Sequence, residues 1–113
     1  MMIVRERISR AQLQTMARAM FGNMVKAVVD VGRRIMALDG ELHSDEEALL
    51  LEDGSRQQDL WGINLYPDYR DEHWIEFDSV INIRPGLGNR SRGVDNEATR
   101  AAIIAIVNDL VTG

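Results

Sequence analysis

The stretch Val25-Lys26-Ala27-Val28-Val29-Asp30-Val31-Gly32-Arg33-Arg34-Ile35-Met36-Ala37-Leu38 decides the fold. Val25, Ala27, Val29 and Val31 alternate with Lys26, Val28 and Asp30, which is the two-residue period of a strand. Gly32-Arg33 suits a tight hairpin with glycine at the first central position, and Ile35 to Leu38 makes the return strand. A connection this short joins only antiparallel neighbours, so the sheet built around it is expected to be largely antiparallel.

Upstream, a short strand is predicted over residues 2–8. Ser9 then reads as an N-cap with Gln12 completing a capping box, and Leu13, Met16, Ala17, Met20 and Phe21 recur at helical spacing until Gly22 stops the turn. The methionine-rich stripe reads as core. Downstream, Ser44-Asp45-Glu46-Glu47 reads as a second capping box, with acids in the first turn where the helix dipole favours them. This predicts a helix over 45–53, with a hairpin through Asp53-Gly54 as the competing reading.

Two further strands are predicted. Over 60–66, Trp61, Ile63 and Leu65 point one way and Gly62, Asn64 and Tyr66 the other. Over 74–84, Ile75, Phe77, Ile81 and Ile83 oppose Glu76, Asp78, Asn82 and Arg84, until Pro85 and two glycines end the run. Trp61, Ile63, Leu65, Phe77, Ile81 and Ile83 are therefore expected together on one buried sheet face. Asn96 reads as the N-cap of a last helix whose stripe is Ile103, Ile106, Val107, Leu110 and Val111. The expectation is a single α+β domain over 1–113, a largely antiparallel four- to five-stranded sheet with helices packed on one face.

The chain has 113 residues, 45% hydrophobic and 27% charged, which suits one domain with a core of its own rather than two. It has no cysteine, which excludes disulfides, thiolate metal sites and cysteine nucleophiles. No apolar run approaches the roughly 18 residues of a bilayer span, and the start is charged by position 5, so a soluble, cytoplasmic protein with no membrane contact is expected. The net charge of −5 argues against nucleic acid as a partner. That charge is segregated. Residues 1–38 carry seven basic side chains against Glu6 and Asp30, while residues 39–83 carry thirteen acids against Arg56 and Arg70. Such blocks fit either attraction between parts of one fold or a homo-oligomer.

Three features could carry chemistry. Arg84-Pro85-Gly86-Leu87-Gly88-Asn89-Arg90-Ser91-Arg92-Gly93 joins a strand to a capped helix and gathers Arg84, Arg90 and Arg92 near Asn89 and Ser91. Arginine forks match carboxylate or phosphate oxygens, so these five residues are the candidate site for a small anionic ligand, with a solvated loop paired to the acidic segment as the alternative. The spacing is not that of a phosphate loop. The second feature is the polar row Asn64, Glu76, Asp78, Asn82 and Arg84, either a solvated sheet face or a groove whose acids act as bases or hold a divalent cation. The third is His43, flanked by Glu41 and Asp45. It reads as a surface or capping histidine, and as a weak catalytic candidate beside Glu76 and Asp78. No compact metal-ligand spacing or nucleophile elbow occurs, and no cofactor is called for.

The strings 24–31, Gly40-Glu41-Leu42-His43, 54–67, and 81–94 from Ile81-Asn82-Ile83-Arg84-Pro85 to Gly93-Val94 resemble a family of short prokaryotic proteins catalogued as the domain of unknown function numbered 5674. The likeness covers nearly the whole chain. It implies a stand-alone, cytoplasmic, single-domain protein and brings no activity, cofactor or site residue. From the residues themselves, the leading functional expectation is a small binding or assembly module for an anionic ligand or partner. A metal-assisted hydrolase or nuclease-like enzyme is the alternative, and it gains if the loop, Glu76 and Asp78 line one concave pocket.

Overall fold

The computed structural model describes residues 1–113. The elements follow as β1 (Met2–Val4), β2 (Ile8–Ser9), α1 (Arg10–Ala19), β3 (Val25–Asp30), β4 (Ile35–Leu38), α2 (His43–Glu52), β5 (Leu60–Leu65), β6 (Ile75–Glu76), α3 (Glu97–Leu110) and β7 (Val111–Thr112). Five strands form an antiparallel sheet in the order β1-β4-β3-β5-β6, and β2 pairs with β7 in a separate parallel ribbon. The class is α+β, as the element order implied. The first strand is shorter than expected, because the chain leaves the sheet at Val4 and Ile8 pairs with Val111 instead.

The central strand β3 is buried on both faces because both faces are covered. Val25, Ala27 and Val29 pack with Leu13 and Ala17 of α1 and Ile103, Ile106 and Val107 of α3. Val28 packs the other way, with Ile35, Ala37, Leu60 and Leu50 of α2. The helices are thus divided between the two faces, not gathered on one as expected: α1 and α3 lie on one, while α2 lies on the other, where Val28, Ile35, Ala37 and Leu60 form an apolar patch of their own.

Local signals built the starts of α1 and α3 as read, but α1 ends at Ala19, which leaves Met20 and Phe21 of the expected core stripe exposed, and Val111 of the last stripe lies in β7. Ser9 Oγ accepts from Gln12 N while Gln12 Oε1 accepts from Ser9 N, the reciprocal capping box, and Asn96 caps Thr99 N. The β3–β4 connection is longer than a two-residue turn. Residues 31–34 form it, Arg34 N donates to Asp30 O, and the left-handed residue is Arg34 (φ 57). The buried Asp30 organises it, with Oδ1 accepting from Gly32 N and Arg33 N and Oδ2 from Ser55 Oγ. A Cβ at position 32 would lie 2.7 Å from Asp59 Oδ2, so any other residue there requires the Asp59 carboxylate to move.

α2 is a helix, so the competing hairpin is absent, but it starts at His43 with Leu42 as an N-cap that offers no side-chain bond. The Ser44 capping box does not form. Burial of His43, Glu46 and Leu50, at helical spacing on one face, sets the start instead.

The larger correction concerns residues 74–84. Only Ile75–Glu76 pair as a strand, after which the chain turns through a short 3-10 segment at Val80–Asn82 begun by Ser79. The Asn82 carboxamide takes the place of strand backbone: Oδ1 accepts from Gly62 N (2.8 Å) and Nδ2 donates to Gly62 O (2.9 Å). The expected shared face therefore breaks up. Trp61, Ile63 and Leu65 are buried in the main core and Phe77 packs partly against it, whereas Ile81 packs on the α2 side and Ile83 is exposed.

The charge blocks meet within the chain. Asp53 accepts from both Arg5 (2.6 Å) and Arg33 (2.8 Å), and hydrogen bonding to those two arginines lowers its carboxyl to about 2. Arg92 pairs with Asp78. No helix is long and apolar enough to cross a membrane.

Candidate functional site

The register of the sheet builds one polar row. Lys26 on β3 stands opposite Asn64 on β5, and Asn64 stands opposite Glu76 on β6, all on the α2 face. Where β6 ends, the chain turns over this face, so Asp78 and Ser79 follow Glu76 along the same edge, and Ser79 N donates to Arg92 O. That bond brings the far limb of the 84–92 loop to the row. The first residue of α2, His43, closes the other side. The result is a cleft of about 560 Å³ lined by Lys26, His43, Asn64, Tyr66, Glu76, Asp78 and Arg92, with Met24, Leu42, Val80 and Ile81 among its apolar walls.

Hydrogen bonds order the polar groups. Asn64 Nδ2 donates to Glu76 Oε1 (2.8 Å) and to Asp78 O (3.3 Å), and Tyr66 Oη donates to the same Glu76 oxygen (3.2 Å). Asn64 Oδ1 is buried and accepts nothing. Burial, then the neighbouring Glu76 charge, raises the Tyr66 hydroxyl above its ordinary value, so it remains a donor at neutral pH. Arg92 Nε donates to Asp78 Oδ1 (2.6 Å), which holds the guanidinium over the cleft and strengthens its hold on its proton.

His43 is buried, contrary to the surface reading. Its Nε2 lies 2.7 Å from Ile63 O, and a carbonyl can only accept, so Nε2 carries the hydrogen. Burial, partly offset by that bond, keeps the imidazole below its ordinary pKa. The ring is therefore neutral at pH 7 with its lone pair on Nδ1, the state a general base requires. No group of three His, Asp or Glu side chains is arranged to hold a metal ion, so the ligand set for the metal-assisted alternative is not assembled.

The five loop candidates separate in space. Arg84 stacks on Trp61 (4.4 Å to the ring centroid) and donates to Gln57 O and Leu60 O, half-buried and away from the row. Burial lowers its pKa. Asn89 is buried and holds the loop shut: Nδ2 donates to Asn82 O, Ser91 O and Gly93 O, and Oδ1 accepts from Asp95 N. Arg90 N and Ser91 Oγ both donate to Asp95, and the Arg90 side chain is exposed. Only Arg92 reaches the cleft, where it meets Glu76, Asp78 and His43. Of the polar row read from the sequence, Asn64, Glu76 and Asp78 converge; Asn82 and Arg84 are committed elsewhere. Lys26 and Tyr66 were missed. Their only signal was a polar position on a strand or just past its end, and strand register was needed to read it.

Fold and site together define a small α+β protein with a mixed-charge cleft at the edge of an antiparallel sheet. A family model matches residues 2–110, and the chain belongs to that family, described as "Protein of unknown function (DUF5674)". No curated protein and no solved structure matches it.

Proposed function

We propose that the protein binds a small polar molecule through an anionic group, which Lys26 and Arg92 meet in the cleft. The observation that carries this reading is the convergence of Arg92, from the loop, with Lys26, His43, and the Glu76–Asp78 pair, from three other segments, around one space large enough for a small ligand. Arg84 and Asn89 have a positioning role in it, because their bonds to main-chain carbonyls fix the loop that presents Arg92. Association of copies is a separate proposal, since Asp53 already joins the basic and acidic blocks within one chain, and sedimentation across micromolar concentrations reads it.

The test is thermal unfolding in phosphate. Ligand binding to the native state stabilises it by about 2.7 kcal/mol at a hundredfold excess over Kd. Excluded salts also raise Tm, so the comparison is between wild type and a Lys26→Gln, Arg92→Gln double variant in identical buffers. The double variant should keep its fold and lose most of the phosphate response. Equal shifts in the two proteins would overturn the reading.

A second reading, an enzyme using His43 as general base beside Glu76 and Asp78, is favoured by an imidazole whose Nε2 carries the hydrogen, among the residues that line the same cleft. Turnover of generic phosphoester, ester or peptide substrates, with and without magnesium or manganese, should then fall at least a hundredfold in His43→Ala. No turnover with any of them removes this reading.

A further inference from the structure

We propose that the molecule taken up by the cleft is a zwitterion, with a cationic amine as well as the anionic group. This rests on the anion-binding reading above and adds the second charge. It follows from which ionic groups of the cleft are already paired. Arg92 and Asp78 neutralise each other through a direct hydrogen bond at 2.6 Å. Lys26 and Glu76 have no such partner. The Lys26 ammonium lies 5.5 Å from the Phe21 ring centroid and forms no ion pair. The carboxyl group of Glu46, which feels its charge, is fully buried and held by Gly40 N. Glu76 accepts only from neutral donors, Asn64 Nδ2 and Tyr66 Oη, both on Oε1.

The sheet keeps these two charges apart. Lys26 and Glu76 stand at the two ends of the row, with Asn64 between them. Neighbouring strands lie about 4.8 Å apart, so the backbones at the two ends are separated by about 10 Å. The intervening carboxamide donates to Glu76 and to Asp78 O, and its own oxygen is paired with nothing, Lys26 included. The cleft thus presents one unpaired cation and one unpaired carboxylate across a space walled by His43 and Tyr66. A simple anion would answer Lys26 and leave its own charge facing Glu76. A molecule carrying both charges answers each end, and each contact is a charge-assisted hydrogen bond. Discrimination of this kind comes from repulsion as much as attraction.

The experiment titrates the full chain with 4-aminobutanoate, butanoate and butylamine, following the backbone amide shifts of the cleft residues by NMR. The zwitterion should bind at least tenfold more tightly than either singly charged probe. Lys26→Gln and Glu76→Gln should each remove that advantage, and Glu76→Gln should leave butanoate binding unchanged or improve it. Both side chains are outside the core, and an unchanged amide spectrum away from the cleft certifies that each variant is folded. If 4-aminobutanoate binds no more tightly than butanoate to the wild type, the zwitterion inference is wrong while anion binding stands. If 4-aminobutanoate, butanoate and phosphate all leave the cleft amides unmoved, both readings fall.

Discussion

Asn82 does with one side chain what a neighbouring strand would do with its backbone. Its carboxamide answers both the N–H and the C=O of Gly62, and Nδ2 also donates to Arg92 O, tying the loop to the sheet. The arrangement needs close approach. A Cβ at position 62 would lie 2.6 Å from both Cβ and Oγ of Ser79, so Gly62 has no room for a side chain. Asn82→Ala should leave two buried backbone groups without partners, at about 1–3 kcal/mol each. Gly62→Ala should also destabilise, and Ser79→Gly added to it should recover part of the loss by removing the clashing atoms. Denaturant unfolding of the single and double variants measures both effects. A Gly62→Ala protein as stable as wild type would refute the contact. These residues also explain why the 74–84 strand was misread. Its apolar alternation is real, but Ser79 and Asn82 make side-chain bonds that compete with ladder pairing, and nothing local announces their partners.

At the scale of elements, α1, α3 and the β3–β4 pair were legible because their determinants lie within a few residues of one another: Ser9 with Gln12, Asn96 with Thr99, Asp30 with the turn it orders. α2 was placed late because its start depends on what it covers. Its buried face carries a histidine and a glutamate, types normally read as solvent-facing. Glu46 is fully buried, Oε2 accepting from Gly40 N (2.9 Å) and Oε1 without a partner, and burial raises its carboxyl to about 9. The native state thus keeps a proton that the unfolded chain releases near pH 4.5. Its contribution to stability is complete below that value and is lost as pH rises toward 9, by at most roughly 1.4 kcal/mol per pH unit. Glu46→Gln cannot ionise. Its stability relative to wild type should therefore increase steadily between pH 5 and pH 8 in chemical denaturation, and a difference independent of pH would show that Glu46 is charged in the fold.

Across the whole molecule, class and order of elements were legible because an antiparallel hairpin and two capped helices leave few ways to cover a sheet. The site was legible only in pieces. His43, Glu76, Asp78 and Arg92 were each visible as residues. Their meeting depends on the β3–β5–β6 register and on the bond from Ser79 N to Arg92 O, which join segments distant in sequence. The charge pattern had the same ambiguity: Asp53 shows that basic and acidic blocks meet inside one chain, at the price of nothing read from either block alone. The small parallel ribbon has a different consequence. Ser9 is at once the last residue of β2 and the cap of α1, and Val111, where β7 begins, closes α3. Pairing Ile8 with Val111 and Ser9 with Thr112 therefore splices the beginning of one helix to the end of another across about a hundred residues of chain. Neither helix end can fray by itself. The two must unzip together, which makes a ribbon of two residues per strand the latch on which the cooperativity of the α1–α3 layer depends.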